Sequence, residues 1–280
     1  MSRGGGRHRA QAQLTRRSLL RGAALCATLS SSALGLTGSR YSPRSSPRLD
    51  RYPFKLGVAS GDPAADGVVI WTRLAPDPLE GGGMVSVPVE VGFEVAHDPG
   101  FKKIELAGAV IARPELGHAV HVELEGLKPA QDYWFRFFHG DAASPIGRTK
   151  TAPASSDQTA RLRFASCGCS HFEVGYFTAY RHMADEAFDF IYHCGDYIYE
   201  AGLGAGANAV RRHRGGELYT LTDYRNRYAL YKSDPDLMAA HASAPFIVSW
   251  DDHEIDNDWA ADHDQDGTPP ELFLLRRAAA

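Results

Sequence analysis

Three short apolar runs constrain this chain more than any other feature. Residues 162–165 lead into Ser166-Cys167, residues 188–192 into Cys194-Gly195-Asp196, and residues 246–250 into Asp251-Asp252-His253-Glu254. Between the first two, Phe177, Tyr180, Met183 and Ala187 recur at helical spacing, with Arg181, His182, Asp185 and Glu186 between them. Residues 164–200 therefore read as strand, loop, helix, strand, loop. Runs this short and apolar predict buried parallel strands. In such sheets ligands sit in the crevice beyond the carboxyl ends of the strands. All three runs deliver metal-binding side chains at that end.

A length of 280 residues allows one large or two medium domains, and 44% hydrophobic content suits a packed core. No run of 18 apolar residues occurs, so no transmembrane helix is expected. The first 49 residues hold nine of the 30 basic residues and no acidic ones, leaving 21 basic against 34 acidic in the remainder. A body that acidic is a poor nucleic-acid binder by long-range field, though a local site could still bind cations or phosphate. The basic excess has its own reading. Thr15-Arg16-Arg17-Ser18-Leu19-Leu20-Arg21 precedes a mild apolar stretch over 22–36. That is the layout of a twin-arginine signal peptide, placed at 1–40, with a linker at 41–52. It predicts export by the Tat machinery to a secreted, periplasmic or cell-wall location. Without the signal, Cys167, Cys169 and Cys194 remain. An odd number leaves one thiol unpaired, and a metal-bound thiolate accounts for one. Cys194 ends an apolar strand and reads as a buried, inert cysteine.

From Pro53 the pattern is all-β. Val85, Val87, Val89, Val91, Phe93 and Val95 alternate with other residues, which predicts one strand with one buried face. Pro88 inside it favours a sheet edge or a bulge. Val120, Val122 and Leu124 alternate again, as do Tyr133, Phe135 and Phe137. The stretch from Leu127 to Tyr133 has the form of the tyrosine corner of immunoglobulin-like sandwiches. Residues 53–151 thus read as a β-sandwich of fibronectin type III kind, with 151–160 as the boundary. The glycine-rich stretch at 202–206 lacks the Lys-Ser/Thr of a phosphate-cradling loop and reads as a surface loop.

Two clusters carry chemistry. Asp196 follows Gly195 after a strand, with Tyr199 three residues on. A carboxylate can bridge two cations, and a tyrosinate is a hard oxygen ligand for a trivalent metal. Asp251 to Glu254 sets four ionisable residues in a row directly after an apolar strand, which makes poor core. Cys167, ending the first strand, completes the set. A solvated acidic turn is the plain alternative for the second cluster. Ser166 lacks the His and Asp arrangement that would make it a nucleophile.

These motifs, in this order, resemble the D-type alkaline phosphatase/phosphodiesterase family of the calcineurin-like metallophosphoesterases. The resemblance runs from Phe54 to the last residue and includes SGDP at 60–63, VIWTRL at 69–74, FASC at 164–167, GYFTAYRHMA at 175–184, GDYIYE at 195–200 and WDDHE at 250–254. It implies an all-β sandwich over 53–151, then an α/β four-layer (αββα) metallophosphoesterase domain over 160–280. It implies Fe3+ and Ca2+ as cofactors. Asp196 matches the bridging carboxylate, and Tyr199 and Cys167 match iron-side ligands. Asp252 matches a ligand of the second metal, Asn257 a further calcium ligand, and His253 a phosphate contact or proton donor. Cys169 has no counterpart in the motif. The implied reaction is hydrolysis of phosphate esters by metal-activated hydroxide. A phospholipase-D-like phosphodiesterase on the same scaffold, or a non-catalytic truncated product, are the alternatives. Residues 271–280 look like the start of a helix without a stop signal. Family members continue further, so the phosphoesterase domain is expected to be incomplete and the chain inactive by itself.

Overall fold

The computed structural model describes residues 40, 41, 49–159, 161–204 and 206–280. Arg16 and Arg17 lie outside them. Two antiparallel layers come first. Strands β1 (Val58–Ala64) and β2 (Gly67–Arg73) pair with each other, and β2 pairs with β5 (Ala119–Glu125). The second layer holds β3 (Val89–Ala96), β4 (Ile104–Ala112), β6 (Asp132–His139), β7 (Ala142–Ala143) and β8 (Gly147–Lys150). Period-two alternation decides which side chains meet. Val68, Ile70, Val120, Val122 and Leu124 from one layer pack with Val91, Phe93, Val95, Tyr133, Phe135 and Phe137 from the other. The tyrosine corner is present: Lys128 N–H donates to Tyr133 Oη at 2.9 Å.

The eleven-residue strand expected from Val85 is shorter. β3 begins at Val89, directly after Pro88, and Val85 and Val87 are exposed. Proline has no N–H for the ladder, so it stands before the strand rather than within it. β3 itself is central, between β4 and β6. The described end of the expected linker is anchored as well: Tyr41 Oη donates to Glu90 at 2.9 Å, and its ring stacks on Phe138.

The first layer does not stop at β1. It continues through β11 (Phe246–Val248) and β10 (Phe190–His193) to β9 (Phe164–Cys167), giving one sheet of order β5-β2-β1-β11-β10-β9. β9, β10 and β11 are parallel, as their apolar runs predict. The α-helices among the described residues are, in chain order, α1 (Thr178–Ala184), α2 (Leu221–Lys232), α3 (Pro235–Ser243) and α4 (Pro270–Ala279). Thr220 and Asp223 form a capping box at α2, and Asp234 caps α3 by accepting from Asp236 and Leu237 N–H. Tyr180, Ile191, Tyr197, Tyr224, Tyr231, Leu237 and Phe246 make the second core.

The parallel strands are buried on one face only, which corrects the reading of fully buried strands. Phe164 is 53% exposed and stacks on Phe190 at 5.1 Å. Cys194 shares this openness and is exposed, not buried. α1 is seven residues long, so Ala187 lies beyond it. Residues 202–204 and 206 form a loop.

Lys232, at the end of α2, is buried with its ammonium 4.5 Å from the Trp71 ring centre. Burial pulls its pKa down to about 7. Its contribution to stability is therefore complete above the unfolded value of 10.5 and is lost as pH falls through about 7. In the full-length protein Lys232→Met is expected to melt above wild type. The gap should be largest at and below neutral pH and close as pH rises towards the unfolded value. Thermal melts of both proteins across that range check it, and a gap that ignores pH counts against the assignment.

Candidate metal centre

The loops after β9, β10 and β11 meet at the carboxyl ends of the parallel strands. Backbone bonds join them: Cys169 N–H donates to Gly195 O at 3.1 Å, and Ser170 N–H to Asp196 O at 2.9 Å. The β10 and β11 loops approach so closely that position 195 needs glycine. Its φ is +115°, and a Cβ there would stand 2.5 Å from Asp251 Cβ. Cys169 and Asp196 take φ values of +52° and +53°, a left-handed backbone that non-glycine residues adopt at a cost.

Asp196, Asp252 and His253 come together, with one ligand atom from each within 4.8 Å of the others. Asp196 is 7% exposed. Its Oδ2 accepts from Tyr199 Oη at 3.0 Å, while its Oδ1 is enclosed with no hydrogen-bond partner. A buried carboxylate oxygen without a donor is costly, and a cation beside it removes that cost. Carboxylates with a phenol and an imidazole suit a hard cation, so the residues fit the group that the resemblance implies.

Each of these side chains is tuned by its surroundings. Burial opposes the charge of Asp252. Backbone N–H bonds to its carboxylate, from Asp258 at 2.6 Å and His253 at 3.0 Å, and the nearby imidazole hold its pKa below the ordinary range. Tyr199 is the reverse case. Burial, then the Asp196 carboxylate, push its phenol well above the ordinary value.

Two glutamates orient the group, and the sequence reading gave neither a role. Glu254, 2% exposed, accepts from the backbone N–H of Asp196 at 3.2 Å, of Asp251 at 2.9 Å, and of Tyr197. Glu200 accepts from His253 Nδ1 at 2.8 Å and from Asn257 N–H at 3.0 Å. Burial pulls the His253 imidazole down, but Glu200, joined by the Asp196 and Asp252 carboxylates, outweighs it and the pKa is raised. The signal was positional, since each glutamate closes its motif, GDYIYE or WDDHE. Asn257 lies beside the group, its Nδ2 donating to Gln265 Oε1 at 2.9 Å.

Cys167 is not brought into this group. Alternation along β9 turns it to the helix-covered core, where its Sγ lies 3.6 Å from Tyr192 O. Burial raises its thiol pKa and the Tyr180 hydroxyl lowers it. The thiol beside Asp196 and Tyr199 belongs to Cys169. Desolvation and then the Asp196 carboxylate raise its pKa, while the Tyr199 hydroxyl lowers it. The left-handed turn at Cys169 makes this approach possible, and no residue pattern in the sequence announces it.

Glu200→Gln is expected to lower the pKa of His253, because that carboxylate contributes most among the groups that hold it up. A proton-detected imidazole titration of the full-length protein would show this as a downward shift. An unchanged midpoint would mean that Glu200 does not set the His253 charge.

Two family models match the chain: PhoD-like phosphatase over residues 164–280, and PhoD-like phosphatase, N-terminal domain, over residues 40–153. The chain is 48% identical over 272 residues to alkaline phosphatase D of Bacillus subtilis (strain 168), a match covering 95% of this chain and 46% of that protein. It is also similar to the solved structure of PhoD, at a TM-score of 0.81 and 51% identity, over 83% of this chain and 45% of that one. The chain belongs to the PhoD-like phosphatase family. It spans about half the length of these two relatives.

Proposed function

We propose that this chain is part of a metal-dependent phosphoric ester hydrolase, a phosphatase or phosphodiesterase. The observation that carries the reading is the convergence of Asp196, Asp252 and His253 beside an enclosed, unpartnered carboxylate oxygen. Asp196, Tyr199, Asp252 and Asn257, with the thiol of Cys169, would hold two cations, which the resemblance reads as Fe3+ and Ca2+. Cations held there supply Lewis acidity, neutralising phosphoryl oxygens and acidifying water.

The rest falls to the chain. His253, with its pKa raised beside Glu200, holds a proton at the edge of the group, ready for a leaving alkoxide. Glu254 keeps the Asp196 and Asp251 backbones together. Arg227 is fully buried and donates to the Tyr199 carbonyl, which fixes the backbone of that residue. The same reading takes residues 53–151 as a fibronectin-type-III-like sandwich and 160–280 as part of a four-layer domain. Their packed cores and helix-covered parallel strands support it.

In the full-length protein, p-nitrophenyl phosphate and its bis ester are expected to turn over, and chelation to abolish turnover. Asp196→Ala should cost about a thousandfold or more in kcat. The ratio of the two rates sorts phosphatase from phosphodiesterase. Turnover indifferent to both chelator and substitution would remove the reading.

Residues 1–40 are read as a twin-arginine signal on Arg16-Arg17 and the apolar stretch behind them. Changing both arginines to lysine should hold the precursor in the cytoplasm. Fractionation that finds export undiminished would mean that the pair is not recognised.

A further inference from the structure

Two imidazoles lie against the ring of Tyr199. His253 is 4.1 Å from it, centroid to centroid, and His171 is 4.3 Å away. His253 is already part of the centre, whereas nothing above uses His171. It stands two residues beyond Cys169, on the same loop.

His171 is itself held from behind. Glu173 N–H donates to its Nδ1 at 3.2 Å, and its ring stacks on His213 at 5.4 Å with the planes 27° apart. His213 is backed by the Tyr231 hydroxyl, 3.0 Å from its Nε2. Glu173, 3% exposed, accepts from Leu203 N–H at 2.6 Å and His213 N–H at 2.7 Å. The carbonyl of Tyr199 is pinned by Arg227. With its backbone fixed, the phenol keeps only its side-chain torsions, and the two imidazoles pack against the ring that those torsions would swing.

We propose that His171 is a positioning residue for Tyr199, with Glu173 and His213 behind it, and sets the phenol oxygen for a cation shared with Asp196. The proposal rests on the reading of Tyr199 as a ligand. A ligand ordered in advance loses little freedom on binding. Groups that orient a ligand from behind in this way are worth about 10–100-fold in metal affinity.

The test uses the full-length protein, freed of metal and titrated with ferric iron. It follows phenolate-to-iron absorption and, by elemental analysis, bound iron. Wild type should develop a visible band. His171→Ala should shift that band and weaken iron binding about tenfold or more, and His171→Phe, which keeps a flat ring in place, should restore both. His171→Gln, which keeps an acceptor but no ring, serves if the alanine variant does not fold. An unshifted band and unchanged affinity without the ring, together with loss of the band in Tyr199→Phe, overturns the positioning role and leaves the ligand reading standing. A band kept in Tyr199→Phe, or none in wild type, overturns both.

Discussion

The centre depends on a carboxylate whose hydrogen bonds, among the described residues, all come from backbone. Glu254 is almost wholly removed from water, and an ionised carboxylate in that position costs several kcal/mol unless donors surround it. Its donors are the N–H groups of Asp196, Tyr197 and Asp251. Two of these lie on the loop after β10, and the third belongs to the loop after β11. The same bonds that satisfy Glu254 therefore join two loops that also meet at Gly195 and through Glu200 with His253 and Asn257. They also help hold Asp196 at a φ of +53°, against the ordinary preference of its backbone. The position of the Asp196 carboxylate is thus set by hydrogen bonding that involves no ligand.

A second constraint sits at the join between the antiparallel strands and the parallel ones. β1 and β11 share a single register pair, Gly61 with Phe246. A Cβ at position 61 would lie 2.8 Å from the Phe246 carbonyl oxygen, so the strands approach only because residue 61 has none. This gives the SGDP motif a physical role. Side chains reinforce the join: Arg148 on β8 donates to Phe188 O at 3.0 Å and Ser243 O at 2.9 Å, and Lys150 pairs with Asp189 at 2.5 Å. The β-rich first part is in this way built into the sheet that presents the centre.

Much of this was legible in the sequence, because periodicity and burial speak directly. Alternation located β5 and β6, and the apolar runs located the three parallel strands. What failed was backbone conformation at single residues. Alternation across Val85 and Val87 continues smoothly into β3, yet Pro88 ends the ladder and leaves both valines in water. Cys167 looked like the ligand because it ends a strand. The strand's own pleat turns it to the core, and a left-handed residue two positions later brings Cys169 round instead. Cys194 looked buried because it follows an apolar run, but that run is covered on one face only. Glu200 and Glu254 were visible as acidic residues in the right motifs. Their work is to accept N–H groups rather than bind metal, and that distinction lies in which donors surround them.

The charge balance of the centre favours a bound cation. Asp196 and Asp252 bring carboxylate oxygens within 4.8 Å of each other, and two negative charges that close repel. Among the described residues, the His253 imidazole offsets part of this at Asp252. His253 is engaged by Glu200, and Arg227 donates to the carbonyls of Tyr199 and Gly216. Backbone N–H groups, together with that imidazole, hold the Asp252 pKa down, and Asp196 Oδ1 is left enclosed with no hydrogen-bond partner. Tyr199, whose proton is directed at the other oxygen of Asp196, and the Cys169 thiol beside them can each exchange a proton for a cation. The fold concentrates negative charge where it could have dispersed it, and a hard cation gains most from that arrangement.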